Sequence, residues 1–386
     1  MKSVLGALAL LCSVVISDAQ ESRDIYVIKS IGLDNEDDFQ DLEPLKRAIG
    51  NARIVELADW ASADDGASYD GINRLIHFLH SEMSFDIIVW PLGVYEGFLI
   101  NKSFMDGDTN TGLKPMYRVW RNSRSIGELA QYIADQRYSN PLQMLGSSCQ
   151  YHAYGKKSIL NFLRQEAVAV EVEEQIIHKL DQVDSLWSKN PRLKSLSQQE
   201  LVDLKRMIDE LISELTDANW NNSMITSFLD NMKWFVELEE IRGYSPADEL
   251  EEMVAKYLTK STFTNMAKII SANIEQHKII LFGSWENIRN QWAQDIYSIG
   301  ITSYNGQIGR PGQDISAMEP ITDQYVETYL HGLRKPFLFV ESKDLDFVDK
   351  VSRLNGKSRT SWRREFDAIF FIDRSYPNSS KEGDPK

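Results

Sequence analysis

Two short segments place polar side chains directly after apolar runs, as expected for a cleft at strand ends. The first is Arg-Ile-Val-Glu-Leu-Ala-Asp-Trp-Ala-Ser at residues 53–62, and the second is Lys-Ile-Ile-Leu-Phe-Gly-Ser-Trp-Glu-Asn at residues 278–287. Their carboxylates could take part in proton transfer, whereas their hydroxyl and amide groups can hydrogen-bond a ligand but cannot accept a proton at neutral pH. Residues 53–71 and 278–302 contain no histidine, the side chain that most readily acts as a base near pH 7.

The surrounding pattern predicts a sheet that positions both segments. Short apolar runs predict strands at residues 53–57, 85–91, 142–146, 278–283, 295–302, 336–341 and 366–373. Between the first two strands, apolar residues recur at helical spacing, and these are Ile72, Leu75, Ile76, Leu79 and Met83. Apolar strands joined by helices favour a parallel arrangement. We therefore predict an α/β fold with a mostly parallel sheet flanked by helices and a large inserted all-helical subdomain.

The helical subdomain is predicted from residues 156–276, where glycines are few and helical patterns are long. Ser197-Gln-Gln-Glu200 is a capping-box signature before an apolar stripe. Residues 20–155 and 277–374 then form the first and second parts of the α/β core. Residues 375–386, rich in Pro, Ser, Asn and charge, are predicted to be a disordered tail.

The first 19 residues carry one early positive charge, a short apolar run and small residues at its end. This pattern predicts a cleaved signal peptide and a secreted or periplasmic protein, with an uncleaved or lipid-linked anchor as the alternative. No other stretch approaches transmembrane length. Cleavage would leave Cys149 as the single cysteine, so no internal disulfide is expected.

The charge and the motifs of the chain limit the classes of partner and cofactor that it could bind. The chain has 57 acidic and 42 basic residues and a formal charge of -15, which argues against nucleic acid as a partner. Cys149 and His152 lack a second pair of metal ligands, and the glycines at 306–312 lack the lysine of a phosphate-binding loop. We therefore predict no metal and no cofactor, and a small-molecule ligand or ester substrate as the partner.

Residues 42–373 resemble the erythromycin esterase family, in which the two opening segments read roughly Leu-Gly-Glu-x-x-His-Gly and His-Asn-x-His. Further matching segments are Ala-Arg-Ile-Val at 52–55, Arg-Leu-Ile at 74–76, Ser-Phe at 84–85, Trp120, Met-Ala-Lys-Ile-Ile-Ser-Ala-Asn at 266–273, Tyr-Ser-Ile-Gly-Ile-Thr-Ser at 297–303 and Phe-Asp-Ala-Ile at 366–369. The resemblance implies an α/β fold with a cleft where histidine and glutamate activate water without a metal. That water opens a macrolide lactone or another ester, which implies a role in the response to antibiotics.

The family's catalytic positions are substituted in this sequence. Asp59 stands at the first glutamate, Ser62 at the first histidine, and Pro91 at the glutamate expected after the next strand. In the second segment, the family's His, Asn and the later His are replaced by Ser284, Trp285 and Asn287. Loss of the imidazole bases predicts loss of the family reaction, because general-base catalysis contributes about a hundredfold to ten-thousandfold.

Other side chains are predicted to edge the same cleft, and these are Trp60, Asp64, Asp65, Glu96, His152 and Glu286. Two hypotheses follow. The first is a non-catalytic binder of an ester, a lactone or another small organic ligand. The alternative is a metal-independent carboxylic-ester or macrolide-lactone hydrolase with a rebuilt site, using His152 and Arg74 with Asp59, Asp64 or Asp65. A serine hydrolase is disfavoured because no Gly-x-Ser-x-Gly elbow is present.

Overall fold

The computed structural model describes residues 25–33, 38–59, 64–151, 153–169, 174–188, 193, 196–217, 223–245, 249–345, 352, 362 and 365–380. Trp60, Ser62 and His152 lie outside the described residues, as do the predicted signal peptide at 1–19 and residues 381–386 of the predicted tail.

A nine-stranded sheet forms the centre of the described chain, in the order β1-β8-β9-β6-β2-β5-β3-β4, with β7 paired to β6. Its strands are β1 Ile25–Val27, β2 Ile54–Asp59, β3 Ile87–Gly93, β4 Gln143–Ser148, β5 Ile279–Phe282, β6 Ile296–Ile308, β7 Ser316–Ala317, β8 Phe337–Glu341 and β9 Ala368–Ser375. Strands β9, β6, β2, β5, β3 and β4 are mutually parallel. At the other edge, β8 pairs antiparallel with β9, and β1 pairs antiparallel with β8. Consequently, β2, β3, β4 and β5 all end at one edge of the sheet.

Thirteen α-helices and two short 3-10 helices, Gln40–Leu42 and Ser342–Leu345, occur among the described residues. The α-helices are α1 Glu43–Ile49, α2 Gly66–Met83, α3 Val94–Met105, α4 Thr109–Gly112, α5 Arg118–Arg121, α6 Arg124–Gln136, α7 Ala153–Ala169, α8 Glu174–Trp187, α9 Gln198–Asp217, α10 Ser223–Tyr244, α11 Leu250–Asn273, α12 Glu286–Gln291 and α13 Val326–Gly332. In this part of the chain, none is long and apolar enough to cross a membrane.

The predicted α/β class with a mostly parallel sheet is confirmed, and each of the seven predicted strands overlaps an observed one. The strands are buried on both faces, so their apolar runs are nearly continuous and easy to read. Strands β1 and β7 were not predicted, because strands of three and two residues are too short for a periodic pattern.

Helices α7 to α11 stand between β4 and β5. Residues of α7 to α10 share an apolar core, whereas Met266 and Ile270 of α11 pack against strands of the sheet. The predicted capping box begins α9, because the Ser197 amide donates to Glu200 Oε2 at 2.8 Å and the Glu200 amide donates to Ser197 Oγ at 3.2 Å. Leu204, Ile208 and Leu211 are fully buried on the stripe that follows.

The structure differs from the predicted disordered tail over residues 375–380. Ser375 ends β9, and the Gly66 amide donates to the Tyr376 carbonyl at 2.7 Å. Asn378 is buried and accepts a hydrogen bond from Ser123 Oγ at 2.8 Å. Composition misled the prediction, because the polar side chains of this segment form hydrogen bonds with Asp65 and with residues of α2 and α6.

Lys156 is a buried cation within the helical subdomain. Its Nζ donates to the Trp187 carbonyl and lies 5.0 Å from the centre of the Trp187 ring. Burial lowers the pKa of Lys156 from 10.5 to about 8, against the opposing attraction of Glu239 and Asp184. The folded protein therefore binds fewer protons than the unfolded chain between those two values, so this group makes stability rise with pH across that window.

Lys156→Met is expected to remove this pH dependence. Between pH 7 and pH 9.5, the free energy of unfolding of the unmodified protein should rise by about 1 to 2 kcal/mol relative to the variant, after allowance for solvent screening. Urea unfolding at both pH values measures the difference. Lys157→Met, which changes an exposed lysine on the same helix, should show no such difference, and parallel pH profiles for all three proteins would contradict the assignment.

Candidate functional site

An open cleft of about 220 Å³ lies at the ends of β3, β4 and β5, where α11 faces the sheet. It is lined by Pro91, Tyr117, Ser148, Gln150, Leu258, Thr259, Thr262 and Trp285. The cleft thus brings together two of the sequence-predicted site residues, Pro91 from the end of β3 and Trp285 from the loop after β5. Its opposite wall comes from α11 in the helical subdomain.

Stacked aromatic rings lie beneath this cleft. Trp90 stacks on Phe282 with ring centroids 4.1 Å apart and nearly parallel planes. Trp120 meets Trp90 edge-on at 5.6 Å and Tyr117 at 5.5 Å, and its indole N–H donates to Tyr69 Oη at 2.8 Å. Because large rings in contact leave little room for motion, they hold the lining residue Tyr117 in a fixed position.

The polar groups of the cleft are neutral hydrogen-bonding groups. Tyr117 donates its hydroxyl to Gln150 Oε1 at 2.7 Å, and Asn231 Nδ2 donates to the Ser148 carbonyl at 3.3 Å. Burial, with a further contribution from the Glu96 carboxylate, raises the pKa of Tyr117 well above its ordinary value. Tyr117 is therefore a protonated hydroxyl at neutral pH, and no carboxylate or imidazole occurs among the described lining residues.

Glu96 is buried under the cleft, in the first turn of α3. Two glycines make room for its carboxylate, since a Cβ added to Gly93 would lie 2.1 Å from Oε2 and one added to Gly155 would lie 2.2 Å from Oε1. Burial is the main cause that raises the pKa of Tyr151, and the charge of Glu96 raises it further. The predicted cleft residue Glu96 is thus placed near the site, but not on its described surface.

The loop after β5 is fixed by a buried ion pair that sequence reasoning missed. Glu56 is 0% exposed in the middle of β2, and Arg289 Nη1 lies 2.9 and 2.7 Å from its two oxygens. Glu56 Oε1 also accepts the backbone amide of Trp285 at 2.5 Å. Burial raises the pKa of Glu56, and Arg289 opposes that rise. The available signal was a charged residue inside the apolar run Ile-Val-Glu-Leu.

Ser284, Glu286 and Asn287 are exposed around this loop and are not among the described cleft-lining residues. Ser284 Oγ accepts a hydrogen bond from Arg289 Nη1 at 3.3 Å. The indole Nε1–H of Trp285 donates to the Phe282 carbonyl at 3.1 Å, which turns the indole toward the end of β5. Among the described residues, Trp285 is therefore the one member of the second segment, residues 278–287, that lines the cleft.

The three acidic residues of the first segment have different environments. Asp59 ends β2 half-buried, and its charge adds to burial in raising the pKa of Tyr69. Asp64 forms an ion pair with Arg310 at 2.5 Å, and both side chains are partly exposed. Asp65 is 0% exposed and is the N-cap of α2.

Arg74 is placed in a buried ion pair rather than in the cleft wall. Its two terminal nitrogens donate to Asp41 at 3.1 and 2.7 Å, and Nη1 also donates to the Ser30 carbonyl at 2.9 Å. A guanidinium held this way joins α2 to the chain before α1. The sequence suggested a catalytic role because Arg74 follows the first segment on α2, but its contacts point to a structural role.

The histidines in the described part of the chain form their hydrogen bonds and stacking contacts outside the cleft lining. His77 stacks on Tyr132 with ring centroids 3.6 Å apart, and His80 Nδ1 lies 2.7 Å from the Tyr132 hydroxyl. His277 pairs with Asp86 before β5 and β3 begin, at the opposite edge of the sheet from the cleft. His331 pairs with Asp373 at 2.6 Å. Within the described part of the chain, no group of three or more His, Cys, Asp and Glu side chains could hold a metal ion.

Cys149 is buried directly after β4 and accepts a hydrogen bond from Ser261 Oγ at 3.1 Å. Burial raises the pKa of its thiol to about 11. Since the thiolate is the reactive form, this side chain is inert at neutral pH.

Comparison with known proteins identifies the fold. No family model and no curated protein matches the sequence. A crystal structure of a Bacillus cereus protein matches with a TM-score of 0.72 and 14% identity, covering 93% of this chain and 97% of that one. A succinoglycan biosynthesis protein matches with a TM-score of 0.68 and 14% identity, covering 92% and 95%.

A mutant of the erythromycin esterase EreC in its open conformation matches with a TM-score of 0.69 and 14% identity, covering 94% of this chain and 100% of that one. The described structure therefore has the fold of an erythromycin esterase over nearly its whole length. This confirms the sequence resemblance at the level of the fold.

Proposed function

We propose that this chain is an exported, erythromycin esterase-like protein that binds an ester, a lactone or another small neutral organic ligand without hydrolysing it. Export to a secreted or periplasmic location is proposed from the pattern of residues 1–19. The ligand would lie in the cleft between Pro91, Trp285 and α11. At about 220 Å³, this cleft is smaller than the ~300 Å³ at which drug-sized ligand pockets begin, which favours an aryl ester or a simple lactone over a macrolide.

One observation carries this proposal: three carboxylates in β2 or in the chain that follows it hold structural partners. Glu56 is bonded to Arg289 and to the Trp285 amide, Asp64 to Arg310, and Asp65 to hydroxyl groups and the start of α2. A general base must reach the attacking water while keeping a pKa near the working pH. Neutral hydroxyl, amide and aromatic groups line the described cleft, and these orient a ligand rather than take its protons.

The alternative is a carboxylic-ester or lactone hydrolase with a rebuilt site. Glu96 is the observation in its favour, because this buried carboxylate lies close enough to Tyr117 and Tyr151 to raise their pKa values. A carboxylate in such surroundings is the kind of group that enzymes use as an acid or a base.

Ligand binding is expected to depend on Trp285. A panel of aryl esters and lactones should contain a compound that raises the unfolding temperature of the mature protein, with about 2.7 kcal/mol of stabilisation at a hundred times the dissociation constant. Trp285→Ala should weaken that binding about tenfold or more, because the indole supplies a wall of the cleft. Tyr138→Ala, which removes an exposed ring, should bind as the unmodified protein does.

The same panel distinguishes binding from catalysis. Turnover above the buffer rate that disappears in Asp59→Ala or Glu96→Gln would overturn the binding proposal and establish the hydrolase. Binding without turnover supports the proposal. If no compound binds, or if Trp285→Ala binds as well as the unmodified protein, the proposed cleft is incorrect.

A further inference from the structure

A second cavity, of about 370 Å³, lies within the helical subdomain. Its described lining comes from the chain before α9, from α9 itself, from the end of α10 and from the start of α11, and consists of Leu193, Leu196, Leu201, Glu239, Arg242, Gly243 and Leu250. It shares no described lining residue with the cleft at the sheet edge. Four leucines make its walls largely apolar.

One carboxylate in this wall is incompletely satisfied. Glu239 is 4% exposed, and its Oε1 accepts a hydrogen bond from Arg242 Nη1 at 2.6 Å. Its Oε2 is buried and has no hydrogen-bond partner among the described residues. Leaving a buried acceptor unpaired costs free energy, and the cost is larger when the group is charged. A ligand that brings a donor to Glu239 would recover this energy.

The charges around Glu239 select a neutral donor over an ion. Arg242 already neutralises the carboxylate through its ion pair, and the Lys156 ammonium lies close enough for Glu239 to raise its pKa against the effect of burial. An added cation would therefore meet two positive groups, while an added anion would meet the carboxylate itself. A hydroxyl group brings a donor without adding charge.

We propose that this cavity binds a small neutral amphiphile, an apolar body carrying one hydroxyl group that donates to Glu239. The leucines hold the apolar body, and the carboxylate fixes its polar end. This division between apolar walls and a few placed polar groups is typical of small-molecule sites, and the volume falls within their range of about 300 to 1,000 Å³. The site is independent of the proposed function of the sheet-edge cleft.

Four probes that share a 4-butylphenyl group and differ in their polar group test which polar group the cavity prefers. They are 4-butylphenol, 4-butylanisole, 4-butylbenzylamine and 4-butylbenzoate. Calorimetry at pH 7 should show 4-butylphenol binding at least about fivefold more tightly than the methyl ether, which lacks the donor, because a net hydrogen bond contributes about 1 kcal/mol. The amine and the benzoate should bind more weakly than the phenol. Equal binding of phenol and ether, or tightest binding of either ion, would overturn the proposed chemistry.

Two substitutions locate the binding. Gly243 lines the cavity, and a Cβ there would meet no atom within 4 Å, so Gly243→Leu should fill the space without disturbing the fold and abolish phenol binding. Gly332→Leu, at another helical glycine with open space around it, is the matched control and should leave binding unchanged. Glu239→Leu should remove the preference for the phenol over the ether.

Phenol binding that survives in Gly243→Leu would refute the site. Trp285→Ala should not alter phenol binding, because that residue belongs to the other cleft. This comparison separates a failure of the second site from a failure of the proposed function.

Discussion

Arg289→Ala is expected to lower the free energy of unfolding by about 3 to 5 kcal/mol at pH 7, because it leaves the Glu56 carboxylate buried without its cation. Glu56 is fully buried in β2, and both of its oxygens lie within 3 Å of Arg289 Nη1. Arg289 also lies with its guanidinium 5.4 Å from the centre of the Phe366 ring. Chemical denaturation of the variant and of the unmodified protein measures the loss.

The pH dependence of this loss identifies its cause. Burial already raises the pKa of Glu56, and removal of Arg289 takes away the main opposing attraction, so the pKa rises further. An acid with a raised folded pKa destabilises the protein fully above that pKa, and this penalty is lost as the pH falls from the folded pKa to the unfolded one. The deficit of Arg289→Ala should therefore be largest at pH 7 and shrink as the pH falls toward 4.5, the ordinary value of this carboxyl group.

A second substitution provides the control. Replacing Glu56 by leucine in the Arg289→Ala background removes the uncompensated charge and should recover part of the lost stability. A deficit that is independent of pH, or a double variant no more stable than Arg289→Ala, would show that the ion pair is not the source. Because Glu56 also accepts the Trp285 amide, the double variant, which lacks this carboxylate, should weaken ligand binding in the sheet-edge cleft.

Most of the sheet was predictable from the sequence because parallel strands are buried on both faces. Residues 54–59 and 279–282 form β2 and β5 within two residues of the predicted bounds. The edge strand β1 was not predictable, because its three residues pair with β8 only after the chain has returned from a distance of more than 300 residues. Short strands depend on tertiary partners rather than on their own pattern.

The candidate site was predictable only in part. Pro91 and Trp285 follow apolar strands directly, so their positions at the sheet edge could be read from the chain. Thr259 and Thr262 lie on α11, and nothing in a helical pattern indicates which turn faces a distant sheet. Adjacent carboxylates are equally ambiguous, because Asp64 and Asp65 have the same chemistry in sequence and opposite surroundings in the structure.

Asp65→Ala is expected to lower the free energy of unfolding by about 3 to 5 kcal/mol. Helix α2 loses its N-cap, and several buried hydrogen-bond donors lose their acceptor. Asp65 Oδ1 accepts the Ser68 amide at 3.1 Å, and Oδ2 accepts Ser68 Oγ at 2.9 Å. Ser303 Oγ on β6 donates to Oδ2 at 2.6 Å, and Ser375 Oγ on β9 donates to Oδ1 at 2.5 Å. One carboxylate therefore joins α2 to two strands.

Asp64→Ala is the matched control, one residue away. Its ion pair with Arg310 is partly exposed, and pairs of this kind contribute about 0 to 1 kcal/mol. Urea unfolding should separate the two variants by at least about 2 kcal/mol, with Asp65→Asn between them because an amide keeps the cap acceptor but loses the charge. If Asp65→Ala is as stable as Asp64→Ala, the buried hydrogen bonds of Asp65 do not stabilise the fold, and the structural role assigned to this carboxylate is incorrect.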